Sequence, residues 1–498
     1  MSITADTSVA ASAVYEPVIG LEVHVQLLTE SKIFCSCSTR FGAPPNTNVC
    51  PVCLGMPGAL PVLNRKAVEF ATLAAMALNC RVNETSIFAR KNYFYPDLPK
   101  GYQISQYDKP LAEHGFIEVQ TLNKGGTGDH RVKKIGITRV HLEEDAGKSL
   151  HEGFPDSDEK TAIDLNRTGV PLIEIVSEPD IATPDEAYEY LTRLKEIILY
   201  TGVSDCNMEE GSLRCDANVS VRLRGRKELG TKAEIKNVNS FRFIREALDY
   251  EIARQIEVIE GGGKIVQETR LYNSHEGKTY SMRSKEQAHD YRYFPEPDLL
   301  PLVVDEKWKA EIARTLPELP EARRARFVSD FGVTEYDAQV LTVSKSLADQ
   351  FEAAAKAAKN PKRVANLVQS ELMGRLNARG VGIEQSPISM KGVAASADLV
   401  ESGAISGKML KDLYDLSFER NKDFPAVYEE EGCPQQSSDT SALEKIIGEV
   451  VAANPRQVEQ YRAGKKTMLG FFVGQVMKAS KGQANPQLVN ELLNKKLG

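Results

Sequence analysis

No run of eighteen apolar residues occurs in the 498-residue sequence, so no segment reads as a membrane-spanning helix. The first fifteen residues have neither a basic start nor an apolar core. They are rich in Ser, Thr and Ala, which excludes a signal peptide and predicts a disordered extension over 1–15. A phosphate loop is missing as well. Ala146-Gly147-Lys148-Ser149 has the right ending, but Leu142 stands where the motif needs its first glycine, and Gly277-Lys278-Thr279 fails in the same way at Tyr272. The protein-kinase signatures, a Gly/Ser-rich amidase signature and internal repeats are also absent. Any nucleotide therefore has to lie on a sheet, held by separate Arg and Lys side chains. There is no excess of positive charge either: the net charge is −7, which gives no global sign of nucleic-acid binding. Cysteine is sparse, eight in all, and without secretion signals these predict reduced thiols in a cytoplasm and metal binding over disulfides.

Three acidic segments stand out in what is present: Gly20-Leu-Glu22-Val-His24-Val, Val140-His141-Leu-Glu143-Glu144-Asp145 and Asn207-Met-Glu209-Glu210-Gly-Ser-Leu-Arg214-Cys-Asp216. The first and third alternate polar and apolar residues with period two, the pattern of a strand with one buried face. Glu22 and His24 then share a face, as do His141 and Glu143. Arg214, Asp216, Asn218 and Ser220 oppose Leu213, Cys215, Ala217, Val219 and Val221. Such a face suits a Mg²⁺-nucleotide site, where carboxylates hold the cation and basic groups hold phosphates. A solvated sheet face reads the same way. Density argues for the site, because Glu and Asp are poor strand formers and recur here at strand-like positions. Candidate phosphate contacts are Lys148, Arg214, Lys232, Lys236, Arg270, Arg283 and Arg292. In Lys232-Ala-Glu234-Ile-Lys236 both lysines and Glu234 share a face, though an exposed salt-bridge ladder would look alike.

Cys35-Ser-Cys37 and Cys50-Pro-Val-Cys53 form the most specific local signal. Two close pairs separated by a short loop can close a tetrahedral thiolate site, and four protein ligands leave no open position, which points to structural zinc. Cys80, Cys206, Cys215 and Cys433 have no partner in sequence and read as small buried hydrophobes. The aromatic and basic stretch Lys91–Tyr107 can stack a nucleobase or a tRNA end, or simply cap a core edge.

The length predicts two to four domains at roughly 100–200 residues each. Val18 to Leu302 reads mainly as strands, with a hairpin turn at Asn123–Asp129 and helical runs at 64–79, 184–200 and 241–260. Thr183 caps the second run with Pro184 at its first position, and Gly261-Gly-Gly263 ends the third. The pattern is α+β. After Glu296-Pro-Asp-Leu-Leu-Pro301 almost everything reads as helix, over 308–315, 321–330, 347–359, 361–377 and 406–420. A polar linker at 429–438 leads to a small helical module with helices at 441–453, 455–462, 467–480 and 486–496. The expected domains are thus 16–302, 303–428 and 439–498. From Asp439 to Gly498 there are nine Lys/Arg against five Asp/Glu, a local +4 that can contact phosphates.

Several long runs together resemble the B subunits of bacterial and organellar aspartyl/glutamyl-tRNA amidotransferases. They are Ile19–Gln26, Ala89–Gln106, Val140–Lys148, Asp164–Asp180, Ser204–Ser220, Lys232–Phe243 and Asp290–Asp298, and the likeness runs from Val18 to the C-terminus. The resemblance implies a cradle domain similar to the glutamine synthetase and guanidino kinase fold, then a helical domain and a YqeY-like tail that engage tRNA. It implies an ATP- and Mg²⁺-dependent ligase that phosphorylates the side-chain carboxylate of Glu or Asp misacylated on tRNA(Gln) or tRNA(Asn). Ammonia then displaces the phosphate. It comes from glutamine hydrolysed by a partner amidase and reaches the site through a tunnel. A small third chain completes a cytoplasmic heterotrimer. The family's Mg²⁺ ligands map onto Glu22, His24, Glu143, Glu144 and Glu210. Alternation alone puts Glu144 opposite Glu143, so the resemblance requires the strand to end or bulge there. The family's cysteine site varies; all four cysteines are present here, so zinc is expected at Cys35, Cys37, Cys50 and Cys53. Arg214, Lys232 and Lys236 are the expected phosphate contacts. A non-catalytic tRNA-binding protein would have no use for an acidic face. The archaeal paralogue specific for Glu-tRNA(Gln) carries an inserted domain for which this chain has no room.

Overall fold

The computed structural model describes residues 14–122, 130–282, 291–432, 440–463, 465–480, 484 and 486–497. Residues 1–13 of the expected N-terminal extension, the turn at Asn123–Asp129, Arg283, Cys433 and most of the linker at 429–438 lie outside the described residues, and Tyr15 already belongs to the first strand. The chain divides into two compact units, the first ending at Leu319 and the second beginning at Pro320.

A nine-stranded sheet forms the first unit. In chain order its strands are β1 (Tyr15–Gln26), β2 (Arg81–Val82), β5 (Ala112–Leu122), β6 (His130–Glu144), β7 (Pro171–Ser177), β8 (Leu213–Leu223), β9 (Ala233–Lys236), β10 (Thr269–Asn273) and β11 (Lys278–Ser281). Spatially they run β11-β10-β9-β8-β1-β7-β6-β5-β2. Strands β3 (Phe88–Asn92) and β4 (Tyr102–Gln106) pair with β12 (Phe294–Pro295) in a separate three-stranded sheet. The alternation read from sequence holds. On β8, Leu213, Cys215, Ala217 and Val219 are buried while Arg214, Asp216 and Asn218 are half-buried. β1 repeats the pattern with Leu21, Val23 and Val25 against Glu22, His24 and Gln26.

Three helices cover the apolar face: α1 (Arg65–Ala77), α2 (Pro184–Thr201) and α3 (Phe241–Glu260). Ala67, Ala71, Leu191, Leu194, Ile244 and Leu248 share one core with the inward residues of β1, β7 and β8. Each of these Leu and Ile side chains stabilises the unit by about 1.5–3 kcal/mol when removed from water. Thr183 accepts from the amide of Glu186 and Pro184 opens α2, as the sequence signals require. Cys80, Cys206 and Cys215 belong to this same core.

Two expectations are corrected. The sheet is mixed, not purely antiparallel, because β9 and β10 run parallel. The connection between them carries α3, and a parallel pair needs such a crossover. The boundary expected at 302 is passed as well. Helix α4 (Glu306–Ala313) places Ile312 in the core of the first unit, together with Val304.

The second unit is helical. One core gathers Phe327, Phe351, Leu376, Leu413 and Phe424, and another gathers Leu443, Ile447, Phe472, Val476 and Leu493. Three short helices escaped the sequence reading: Glu335–Leu341, Met390–Glu401 and Phe424–Glu430. The run expected over 361–377 is interrupted by a π turn at Val368–Leu372 between Pro361–Leu367 and Met373–Arg379.

Candidate active site and cysteine centre

The polar face of the large sheet brings its groups together row by row, through strand register. His141 faces Glu174, Glu174 faces His24 and His24 faces Arg214 across β6, β7, β1 and β8. One step along, Glu22 faces Asp216, and beyond it Asn218 faces Glu234. A ligand atom from each of His24, Glu143 and Glu174 lies within 4.8 Å of the others. His24 Nε2 is 3.5 Å from Glu174 and 3.8 Å from Glu143, and His141 Nε2 is 3.1 Å and 3.5 Å from the same two carboxylates. Ser105 Oγ donates to Glu143 at 2.8 Å. Asn218 donates to Glu22 at 3.0 Å.

Charge follows this geometry. Burial opposes every ion here, yet His141 holds Glu143 below the carboxylate range and Glu174 well below it. In return, and again against burial, Glu174 and Glu143 push His141 up to about 9 and raise His24. Burial raises the Glu22 carboxyl, helped by Glu174 and Glu234. Two buried carboxylates thus converge on a point where positive charge is strongly favoured. Beside them Asp145 is buried, accepts from Arg214 Nη2 at 2.9 and 3.0 Å, and accepts from Gln26 at 2.7 Å. Arg167 Nε approaches Asp145 to 3.7 Å. Lys236 bridges Asp216 and Glu234, each at 3.2 Å.

The structure does not bring all expected residues together. Glu144 stays on the face opposite Glu143. It is the last residue of β6, but register is unbroken there (Pro171 faces Glu144, Leu172 faces Glu143), and the one irregularity lies between Val176 and Ser177. Its carboxylate accepts from Ile104 N at 2.9 Å and pairs with Lys100. Strand alternation therefore prevails over the expected bulge, and Glu144 is corrected out of the cluster. Glu210 sits exposed in the turn before β8 and is not among the convergent ligand groups of the described residues. Lys232 is exposed just ahead of β9. Arg270 turns into the protein, where it meets Glu251 and Thr279. Glu174 and Asp145 were missed. Glu174 had a signal, a lone acid inside the apolar strand Pro171–Ser177, where an unpaired charge is costly.

The sulfur atoms of Cys35, Cys37, Cys50 and Cys53 lie within 4.8 Å of one another. Cys50 and Cys53 Sγ are 3.9 Å apart, close to the ~3.8 Å separation of sulfurs that share a tetrahedral ion at ~2.3 Å. The Cys35 thiol donates to Cys53 and holds it down to about 4, with the Lys32 charge also helping against burial. Gly55 follows with φ +65°, and a Cβ there would strike the Lys100 side chain. A cavity of about 130 Å³ separates this centre from Glu144, lined by Lys32, Cys35, Cys53, Lys100, Glu144 and Gly169 among others.

The family model of the GatB/GatE catalytic domain matches residues 17–310, which hold the sheet cluster, the cysteine centre and the cavity. A second model, the GatB domain, matches residues 349–497. Among the B subunits of aspartyl/glutamyl-tRNA(Asn/Gln) amidotransferases, that of Carboxydothermus hydrogenoformans is 57% identical over 483 residues, covering 97% of this chain and 99% of that protein. The chain belongs to this family of amidotransferase B subunits. Those of Syntrophotalea carbinolica and Geobacter sulfurreducens are 54% and 55% identical, each over 97% of this chain and over 98% and 99% of their own lengths. The GatB-domain match begins at 349, so it takes in helices of the expected middle domain as well as the expected tail at 439–498. As one part of a multi-subunit amidotransferase, a family member works with partner chains. Among the described residues no helix is long and apolar enough to cross a membrane.

Proposed function

We propose that this chain carries the kinase and amide-forming site of an aspartyl/glutamyl-tRNA(Asn/Gln) amidotransferase, a ligase that acts on misacylated Glu-tRNA(Gln) and Asp-tRNA(Asn). The observation that carries this reading is the convergence of His24, Glu143 and Glu174 on one sheet face, flanked by Arg214 and Lys236. The mixed sheet with one polar face supports the kinship expected with the glutamine synthetase and guanidino kinase cradle. A Mg²⁺ ion held there, with Glu22 one pleat away, supplies charge neutralisation for the phosphates of ATP. Arg214 is anchored by Asp145 and its buried Nε has no partner among the described residues, so a phosphate oxygen can take that donor. Lys236 is the second phosphate contact and Lys232 an outer one.

The chemistry is a double displacement. An oxygen of the Glu or Asp side chain attacks the γ-phosphorus, the bond to the β–γ bridging oxygen breaks, and ADP leaves with an acyl phosphate formed. The ammonia nitrogen then attacks the acyl carbon, phosphate departs, and the nitrogen gives up a proton to form the neutral amide. Pre-positioned charge serves both steps, since negative charge spreads over phosphoryl oxygens in the first and gathers on the carbonyl oxygen in the second. The chain lacks an amidase signature, so ammonia is to come from glutamine hydrolysed by a partner amidase, with a small third chain completing a cytoplasmic heterotrimer. The helical second unit, with its basic end, is to hold the tRNA.

Release of ADP by the assembled complex should depend on Glu-tRNA(Gln) or Asp-tRNA(Asn) and should vanish in His24→Ala. ADP formation that ignores the aminoacyl group, or survives in His24→Ala, refutes the reading. The cysteine centre is proposed to hold structural zinc. The purified complex should then contain one zinc per chain by atomic emission, and Cys53→Ser should lose that metal together with protection of the 43–53 loop in hydrogen exchange. Full metal content in Cys53→Ser refutes the assignment.

A further inference from the structure

A cation on the other side of the carboxylate cluster has no role in the scheme above. Lys91 lies on β3, opposite Gln103 of β4. Strand β4 is joined to the cluster directly, since Ser105 on it donates to Glu143 at 2.8 Å. Among the described residues no carboxylate oxygen lies within 4.0 Å of the Lys91 ammonium. Its Nζ stands 5.0 Å from the centre of the Tyr291 ring. Tyr93 meets Tyr291 edge-on at 5.9 Å, Tyr291 meets Tyr293 at 6.0 Å, and Tyr293 stacks on Tyr107 at 4.2 Å with planes 4° apart. Burial works against the charge of Lys91, but the fields of Glu143, Tyr293 and Glu174 keep its pKa above the ordinary lysine value. The charge of Lys91 is thus favoured by the fields of the cluster and lies beside the Tyr291 ring, with no carboxylate in contact among the described residues.

The cluster therefore lies between two sets of positive charge. Arg214 and Lys236 come from β8 and β9, on one side of His24. Lys91 comes from the small sheet packed beside β6, on the other. An in-line phosphoryl transfer has the donor and the acceptor on opposite sides of the moving group, and each is anionic here. With the nucleotide phosphates assigned to Arg214 and Lys236, the acceptor carboxylate needs a cation of its own.

We propose that Lys91, set among Tyr93, Tyr291 and Tyr293, binds the side-chain carboxylate of the misacylated aminoacyl group and so selects the acid over the amide. This assignment rests on the function proposed above and deepens it. A neutral amide offers the ammonium one weaker acceptor, whereas the carboxylate forms a charge-assisted pair. The finished product is thereby released from the group that held the substrate.

The test uses the assembled complex, with Lys91→Met and Lys91→Arg. Binding of Glu-tRNA(Gln), Gln-tRNA(Gln) and uncharged tRNA(Gln) is measured, together with the KM for Mg²⁺-ATP. Wild type should prefer the glutamyl over the glutaminyl form. Lys91→Met should weaken glutamyl binding alone by about ten- to hundredfold, the range for one hydrogen bond to a charged group. Uncharged tRNA and the ATP KM should stay within about twofold, since neither carries the group that Lys91 recognises. Lys91→Arg should recover part of the preference. A preference retained in Lys91→Met overturns the proposal, as does a KM for ATP that rises while the preference remains. Equal losses for all three tRNAs mark a folding role and overturn it as well. If wild-type complex forms ADP without regard to the aminoacyl group, the function reading itself fails, a result separable from every outcome of the variants.

Discussion

Glu143→Ala in the assembled complex abolishes ATP-dependent amide formation, with a loss on the order of 10²–10³-fold or more, while glutamine hydrolysis by the amidase partner continues. The size of the loss follows from what Glu143 does. It is a buried carboxylate that His24, His141 and Ser105 all approach within 3.8 Å. Removing it takes away one side of the proposed cation site and leaves His141 and Glu174 to collapse on one another. Glu174→Ala should behave alike, because the same two histidines hold it. Both variants should shift Mg²⁺ dependence to higher concentration before activity disappears. Glu144→Ala is the contrasting case. Its carboxylate faces Lys100 and the cavity beside the cysteine centre, so the Mg²⁺ half-saturation should remain that of wild type. Measuring ADP formed against Mg²⁺ concentration separates the three. Full amide formation by Glu143→Ala removes this carboxylate from the mechanism.

The rows that build the site were legible wherever period two was clean. Glu22 with His24, and Arg214 with Asp216 and Asn218, share the face that alternation assigned them. Even the conflict over Glu144 was settled by alternation, since an unbroken register leaves no slack for a second adjacent carboxylate on one face. Glu174 was hidden for a different reason. Its strand is buried on both sides, so it reads as a nearly continuous apolar run and hides which residues face the cluster. The parallel pairing of β9 with β10 was hidden because strand direction depends on where the chain goes after α3, not on the composition of either strand. Arg270 shows the opposite failure. It reads as a phosphate contact in the sequence, but its face of β10 turns toward α3 and a buried acid claims it. The convergence of the four cysteines was the easiest feature to read, because two close pairs constrain spacing far more tightly than any single acidic residue does.

That buried acid makes the strongest stability prediction. Glu251 on α3 is fully buried, and its two oxygens serve Arg254 Nη2, Arg270 Nε and the Thr279 hydroxyl, with Gln255 adding a bond at 3.0 Å. These contacts lower its pKa although burial opposes the charge, and they join α3 to the edge strands β10 and β11. Glu251→Leu removes the buried acid and leaves Glu268 as the remaining carboxylate, paired with Arg270 Nη1 and 4.0 Å from Arg254 Nη2. The expected cost is about 3 kcal/mol, the low end of the penalty for breaking a buried ion pair, because Arg270 keeps Glu268. It should appear as early unfolding and as fast hydrogen exchange in Lys278–Ser281, the edge strand, where the ladder is held from only one side. The loss should reach the nucleotide site, because Thr269 on β10 donates to Glu234 at 2.8 Å and Glu234 in turn holds Lys236. A higher KM for ATP should therefore accompany the loosened edge. The double variant Glu251→Leu, Arg270→Met is the control. It removes both charges and restores apolar contact, so it should regain much of the stability lost by the single variant, with a coupling energy of about 1 kcal/mol or more. If the two substitutions add independently, Glu251 and Arg270 are not the pair that fastens this edge of the sheet.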